Sequence, residues 1–125
     1  MIVGIGSDIA RVARFETAMV RHGERFAARI LGPLEHENWV SRHRSPAFLA
    51  KRFAAKEAFV KALGLGLRAG MQWRDIQVLN DALGKPVLEF TGEARRLFEQ
   101  SGAQSAHVSI SDEAEYALAF VVLER

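Results

Sequence analysis

Apolar and polar positions along the chain change period several times, and each change marks an element. In "IVGIGSDI" the β-branched residues at 2, 3, 5 and 9 interleave with two glycines, which predicts a first strand over residues 2–8, closed by Asp8. From Arg11 to about Arg21 the apolar positions Val12, Phe15, Met19 and Val20 recur at helical spacing and leave Arg14 and Arg21 on or near a polar face. Gly23 interrupts that helix. "RFAARIL" is a further short amphipathic piece, and "GPLEHENWVSRH" offers Pro33 at a helix start with acids in the first turn. Pro46 then opens a long helix over residues 47–64.

Gly64, Gly66 and Gly70 end the long helix and form a flexible connector. "DIQVLND" and "KPVLEF" around "ALG" predict a strand, a turn and a strand. "TGEARRLFEQSG" is a helix with Thr91 as its cap and Gly102 as its stop. In "AHVSIS", His107, Ser109 and Ser111 alternate with Val108 and Ile110, and "YALAFVVLE" completes a terminal hairpin. The expected class is α+β, a small antiparallel sheet packed on a long central helix.

Composition narrows the function. A chain of 125 residues, 49% hydrophobic, is expected to form one domain, residues 1–125, with one core. It has no cysteine, so neither a disulfide framework nor a thiolate metal site is available, and a cytoplasmic location is expected. "MIVGIGSDIARVARFE" lacks the pattern of a secretory leader, and no window reaches the ~20 apolar residues of a membrane span. The net charge is only +2, yet residues 11–56 hold ten Lys or Arg against four Asp or Glu. That basic half favours an anionic partner: a nucleic acid, a phosphorylated cofactor or an acidic protein.

Candidate chemistry lies in "FAAKEAFVKALG". Advanced by 100° per residue, Leu49, Val60, Phe53, Glu57, Ala50, Lys61 and Ala54 fall within an arc of roughly 140°. This places Glu57 in the middle of an apolar stripe, with Arg52 and Lys56 pointing elsewhere. A surface Glu to Lys pair at i, i+4 is the ordinary alternative, worth ~0.3–0.5 kcal/mol. An ionised carboxylate among Leu, Phe, Val and Ala, however, loses solvation unless a cation compensates. Lys61 is one such cation and a metal is another, with Asp8 as a possible second oxygen ligand. Two carboxylates in a chain without cysteine suit a hard ion, most naturally Mg²⁺, which keeps water and substrate phosphate in its remaining positions.

Other motifs carry less. "GIG" is too short for a dinucleotide fingerprint and reads as a strand whose glycines allow close packing; "LGKP" has no Walker spacing and reads as a hairpin turn. His107, Ser109 and Asp112 do not form a nucleophile elbow. The dispersed histidines do not suggest zinc. A basic nucleic-acid-binding module without catalysis would explain the basic half, but "RHRSPAFLAKRFAAK" lacks interleaved aromatics and leaves Glu57 without a purpose.

"GIGSDIARVARFE" and "FAAKEAFVKALG", in that order, resemble the two signature segments of the bacterial holo-acyl-carrier-protein synthases, the small branch of the phosphopantetheinyl transferases. The likeness continues through "FLAKRF", "GKP" and "HVSIS" over nearly the whole chain. It implies transfer of the 4'-phosphopantetheine arm of coenzyme A to a serine of apo acyl carrier protein, with release of adenosine 3',5'-bisphosphate, in fatty acid biosynthesis. It further implies a homotrimer with coenzyme A between protomers, and neither nucleic acid nor membrane as partner. By the same resemblance Asp8 and Glu57 are Mg²⁺ ligands, and Asp8, Glu57 and Lys61 form the catalytic group. Arg44, Arg52, Gly84, Lys85, Pro86 and His107 correspond to the coenzyme cleft, and Arg14, Arg21, Arg25 and Phe26 to the carrier-protein face. Asp112 departs from the pattern, since many relatives have histidine there. The sheet residues Val108, Ile110, Leu118 and Phe120 are candidates for the threefold contact.

Overall fold

A computed structural model describes residues 1–66 and 70–125. The chain runs β1 (Ile2–Arg11), α1 (Val12–His22), α2 (Glu24–Ile30), α3 (Pro33–Ser41), α4 (Pro46–Leu63), a 3₁₀ turn (Trp73–Asp75), β2 (Ile76–Asn80), β3 (Pro86–Phe90), α5 (Gly92–Gln100), β4 (Ser105–Asp112) and β5 (Tyr116–Glu124). The class is α+β, as expected. Its strands form two antiparallel groups, a three-stranded sheet in the order β1-β5-β4 and a separate β2–β3 hairpin.

Local chemistry explains the helix limits. Pro46 occupies the first turn of α4, where a missing N–H costs nothing, and Ser45 accepts from the Phe48 N–H at 3.3 Å as its cap. Gly64 ends the helix in the left-handed conformation, φ 78°, which a residue with a Cβ adopts only with strain. The rest of the expected glycine-rich connector includes residues 67–69, which lie outside the described residues. Thr91 does stand at the N-terminus of α5, but its side chain makes no cap bond there; the hydroxyl instead lies 3.4 Å from Asp75 Oδ1.

Period-two alternation sorts the three-stranded sheet into two faces. On β5, Ala117, Ala119, Val121 and Leu123 are fully buried against α4, while Tyr116, Leu118 and Phe120 are each about half exposed on the opposite face. Ile5 and Ile9 of β1 pair with Val122 and Leu118 and extend that outer apolar face. The four residues expected at a threefold contact therefore do not share one face. Val108 is buried inside, whereas Leu118 and Phe120 look outward.

The inner face meets α4 at very close range. A Cβ on Gly6 would lie 2.7 Å from the Ala62 amide nitrogen and nearer still to the Ala58 carbonyl oxygen, and one on Gly4 would strike the Ala62 carbonyl. The glycines of "GIG" thus let a strand backbone rest on a helix backbone. On its far side α4 is covered as well. Phe59 stacks on Phe90 of β3 with ring centroids 4.4 Å apart, and Phe90 lies 4.8 Å from Phe98 of α5.

This enclosure corrects the reading of the long helix. Ala54, Ala55, Ala58, Phe59 and Lys56 are all fully buried, and Arg52 is nearly so. Glu57 is only half-buried, and Lys61 is exposed. An arc of apolar residues on one helix cannot show which side its neighbours cover. The alanines, uninformative as hydrophobes, mark the sides of closest approach.

Candidate active site

Alternation along β1 puts Asp8 on the same face as Gly6 and Ala10, toward α4. Because the two glycines bring β1 onto the helix, Asp8 Oδ1 comes within 3.1 Å of Lys61 Nζ, which also donates to the Ser7 carbonyl at 3.0 Å. Glu57 lies one helical turn before Lys61. Its carboxyl pKa is pushed up, chiefly by desolvation and next by the negative charge of Asp8, with Lys61 and Arg14 opposing. Burial and the nearby Asp8 charge together outweigh Lys61 and Arg14 at Glu57, so a further cation would be favoured beside this carboxylate. Arg14 reaches the same region from α1, its guanidinium 5.4 Å from the centroid of the Phe53 ring. Among the described residues no group of three His, Cys, Asp or Glu side chains comes together, and the carboxylates at this place are Asp8 and Glu57. That donor set fits Mg²⁺, which commonly takes one or two carboxylates and leaves the rest of its shell to water and phosphate.

A second basic site lies elsewhere on α4. A cavity of about 560 Å³ is lined by Leu34, Glu37 and Asn38 of α3, Arg42, Phe48, Lys51 and Arg52 around the start of α4, and Leu79, Asn80 and Gly84 of the hairpin. Arg52 donates through Nη2 to Asn80 Oδ1 at 3.0 Å and lies 4.4 Å over the Phe48 ring. Its Nε is buried and makes no hydrogen bond. That nitrogen faces Glu35 Oε2 at 3.9 Å, and the guanidinium as a whole, on the cavity wall, is suited to donate to an anionic oxygen.

The remaining expected residues are distributed as follows. Gly84 lines the cavity. Lys85 and Pro86 follow it, with the Lys85 N–H donating to Asp81 Oδ1 at 2.9 Å. Arg44 does not line the cavity; it pairs with Glu24 at 2.6 Å and lies over Trp39, while Arg42 takes the cavity position. His107 is on the outer face of the sheet, its Nε2 3.0 Å from Glu124 Oε1, away from both sites within one chain. Arg25 and Phe26, with His22 and Arg29, line a shallow cavity of about 290 Å³ on the α1–α2 side, and the Phe26 ring lies 5.8 Å from Phe15. Arg21, in the last turn of α1, is exposed.

Sequence reasoning missed Glu35 and Lys56. Both are fully buried and paired at 2.6 Å. The Lys56 ammonium also donates to the carbonyls of Ile30, Ile76 and Trp73 at 2.7, 2.5 and 3.0 Å. Burial pulls its pKa down to about 8, with Glu35 opposing. The available signal was a lysine set among alanines in a helix with almost no continuous polar side.

A close strand and helix delivering two carboxylates and a lysine to one place, with a basic cavity nearby, describe a protein built to handle phosphate esters. The chain belongs to the 4'-phosphopantetheinyl transferase superfamily, whose family model matches residues 4–121. It is 51% identical over 124 residues to the holo-[acyl-carrier-protein] synthase of Photorhabdus laumondii, covering 99% of this chain and 98% of that one. Its fold matches the crystal structure of holo-[acyl-carrier-protein] synthase from Neisseria meningitidis with a TM-score of 0.93 at 42% identity, over the full length of both chains. It also matches the Helicobacter pylori holo-[acyl-carrier-protein] synthase in complex with coenzyme A, with a TM-score of 0.83 at 31% identity over 96% of this chain and 99% of that one.

Proposed function

We propose that this chain is a holo-acyl-carrier-protein synthase: it transfers 4'-phosphopantetheine from coenzyme A to a serine of apo acyl carrier protein. The products are holo acyl carrier protein and adenosine 3',5'-bisphosphate, the step that supplies carriers for fatty acid biosynthesis in the cytoplasm. Family membership supports the reaction class, and the names of the relatives support the substrates. The observation that carries the reading is the meeting of Asp8, Glu57 and Lys61, two carboxylates and one ammonium brought together from β1 and α4.

The serine hydroxyl attacks the phosphorus that bears the pantetheine arm, and the bond from that phosphorus to the bridging oxygen breaks. The adenosine bisphosphate leaves with that oxygen. A serine hydroxyl is a weak nucleophile near pH 7, and Glu57, whose environment raises its proton affinity, would take its proton directly or through a bound water. Lys61, half exposed beside Asp8, supplies a compact positive charge to the leaving phosphate. Asp8 and Glu57 would hold Mg²⁺, which supplies charge neutralisation at the diphosphate oxygens when bound.

Arg42, Lys51 and Arg52 present the basic wall that suits the coenzyme's adenosine and phosphate end, with Gly84, Lys85 and Pro86 on the adjoining turn. Arg52 and Glu57 are separated by about 7.5 Å along α4 and about 140° around it. One extended coenzyme would therefore have to pass around the helix, or reach the carboxylates of one copy from the cavity of another. The half-exposed apolar face of Ile5, Ile9, Leu118 and Phe120 favours the second arrangement. We infer a homotrimer of single-domain protomers with shared sites. In such an assembly His107 and Arg44 could each complete a neighbour's cleft, which neither does alone. Arg14, Arg21, Arg25 and Phe26 form the face for the acidic carrier.

Mass spectrometry of an apo carrier protein incubated with coenzyme A, Mg²⁺ and this protein tests the reading. A phosphopantetheine mass increase is expected, absent with Asp8→Ala or Glu57→Ala in place of the wild type. Transfer by either variant at the wild-type rate would refute the site.

A further inference from the structure

The fully buried Glu35–Lys56 pair is used by none of these steps, yet its place in the fold is specific. The cavity has three walls, from α3, from the start of α4 and from the β2–β3 hairpin. One carboxylate touches all three. Glu35, on α3, accepts from Lys56 Nζ of α4 at 2.6 Å and from the Gly32 N–H at 2.9 Å through Oε1. Its Oε2 accepts from the Val78 N–H of β2 at 2.9 Å and lies 3.9 Å from Arg52 Nε. The connection continues outward. Arg52 donates to Asn80, and the Asn80 amide donates to the Gly84 carbonyl at 2.9 Å, fixing the turn that precedes Lys85.

We propose that Glu35 and Lys56 are positioning residues for coenzyme recognition: their ion pair holds the three cavity walls in register and aims the Arg52 guanidinium into the cavity. The inference rests on the proposed phosphopantetheinyl transfer. Both side chains are fully buried, so neither touches substrate; they act through Arg52, Asn80 and the hairpin turn. Stability alone is a poor account of the pair, because replacing a buried ion pair by apolar groups of similar volume is often neutral. A carboxylate that accepts from α4 and β2 at once specifies direction and distance, which apolar contacts do less well.

The test uses the double variant Glu35→Gln/Lys56→Met, which removes both charges and keeps most of the volume. Michaelis constants are measured for coenzyme A and for apo carrier protein, and adenosine 3',5'-bisphosphate binding is measured by calorimetry. The coenzyme constant and the bisphosphate Kd should rise by about tenfold or more, with kcat within about threefold and the carrier constant within about twofold of wild type. Coenzyme and bisphosphate values within about twofold of wild type overturn the inference, and so does a parallel loss in both substrates. Should the double variant not fold, Glu35→Gln alone decides the matter: it keeps the shape and removes the charge, and an unchanged bisphosphate Kd overturns the proposal. Failure of the wild type to transfer anything would instead refute the proposed function, so the two outcomes are distinguishable.

Discussion

Replacing Gly6 with alanine would add a methyl group where β1 rests on α4. The new Cβ would stand 2.7 Å from the Ala62 amide nitrogen and 3.0 Å from the Ala58 carbonyl carbon, with the Ala58 oxygen closer than either. These are backbone atoms of a buried helix, so no side-chain rotation relieves the clash. The strand has to lift by a distance on the order of 1 Å, since a packed interior has no void to absorb a methyl. Overpacking of this kind costs about 1–3 kcal/mol, and the rigid partner puts Gly6→Ala at the upper end. For a chain of this length that is a fall in Tm of roughly 10 °C. Asp8, two residues along the same strand, moves with it and loses its 3.1 Å approach to Lys61. A misplacement of about 1 Å at a reacting centre costs about 10²-fold in rate. The assay combines a thermal melt with the rate of phosphopantetheine transfer, and Ser7→Ala, on the outer face of the same strand, serves as the control for melting. Gly6→Ala with a wild-type Tm and wild-type turnover would refute the claim that close backbone packing sets the carboxylate geometry.

In the metal-free protein Glu57 should titrate above the ordinary carboxylate range, read from its ¹³C carboxyl shift; Asp8→Asn should bring it down and Lys61→Ala push it further up. Because the fold favours the protonated form, this carboxyl contributes stability at acid pH that is lost as pH rises through the folded value, and Mg²⁺ should raise Tm more at neutral than at acid pH; an equal Mg²⁺ effect at both would contradict the assignment. Phe120→Asp, on the exposed sheet face, should yield a monomer by sedimentation with little transfer activity, and a fully active monomer would sink the shared site. Arg14→Ala and Arg21→Ala should raise the Michaelis constant for carrier protein and flatten its salt dependence, whereas Lys85→Ala should affect coenzyme A; one kinetic pattern for all three would show the division into two faces to be wrong.

Much of this molecule was legible without coordinates because local chemistry decides it. Alternation in β1, β4 and β5, the proline and serine that open α4, and the glycine that closes it act within a few residues, so the order and class of elements follow from the chain itself. Asp8, Glu57 and Lys61 could be singled out for the same reason: they break a local pattern. Which sides of α4 are covered is a property of its neighbours. Phe59 and Ala58 face different partners, and nothing in residues 46–63 states that a strand backbone fits against the alanines. The stripe drawn around Glu57 therefore pointed to the more open side, while the deeply buried charges were Lys56 and Arg52, whose partners lie 17 or more residues away on α2, α3, β2 and the 3₁₀ turn. The cavity shows the same limit. Arg42 and Arg44 are two residues apart and equally basic in sequence, and the turn that puts both His43 and Arg44 at positive φ leaves Arg42 on the cavity and ties Arg44 to Glu24. Elements and candidate chemistry came from the sequence by itself; distances, burial and which arginine meets which wall came from the tertiary structure, because an electrostatic or packing partner is chosen by proximity in space and the chain order carries no record of it.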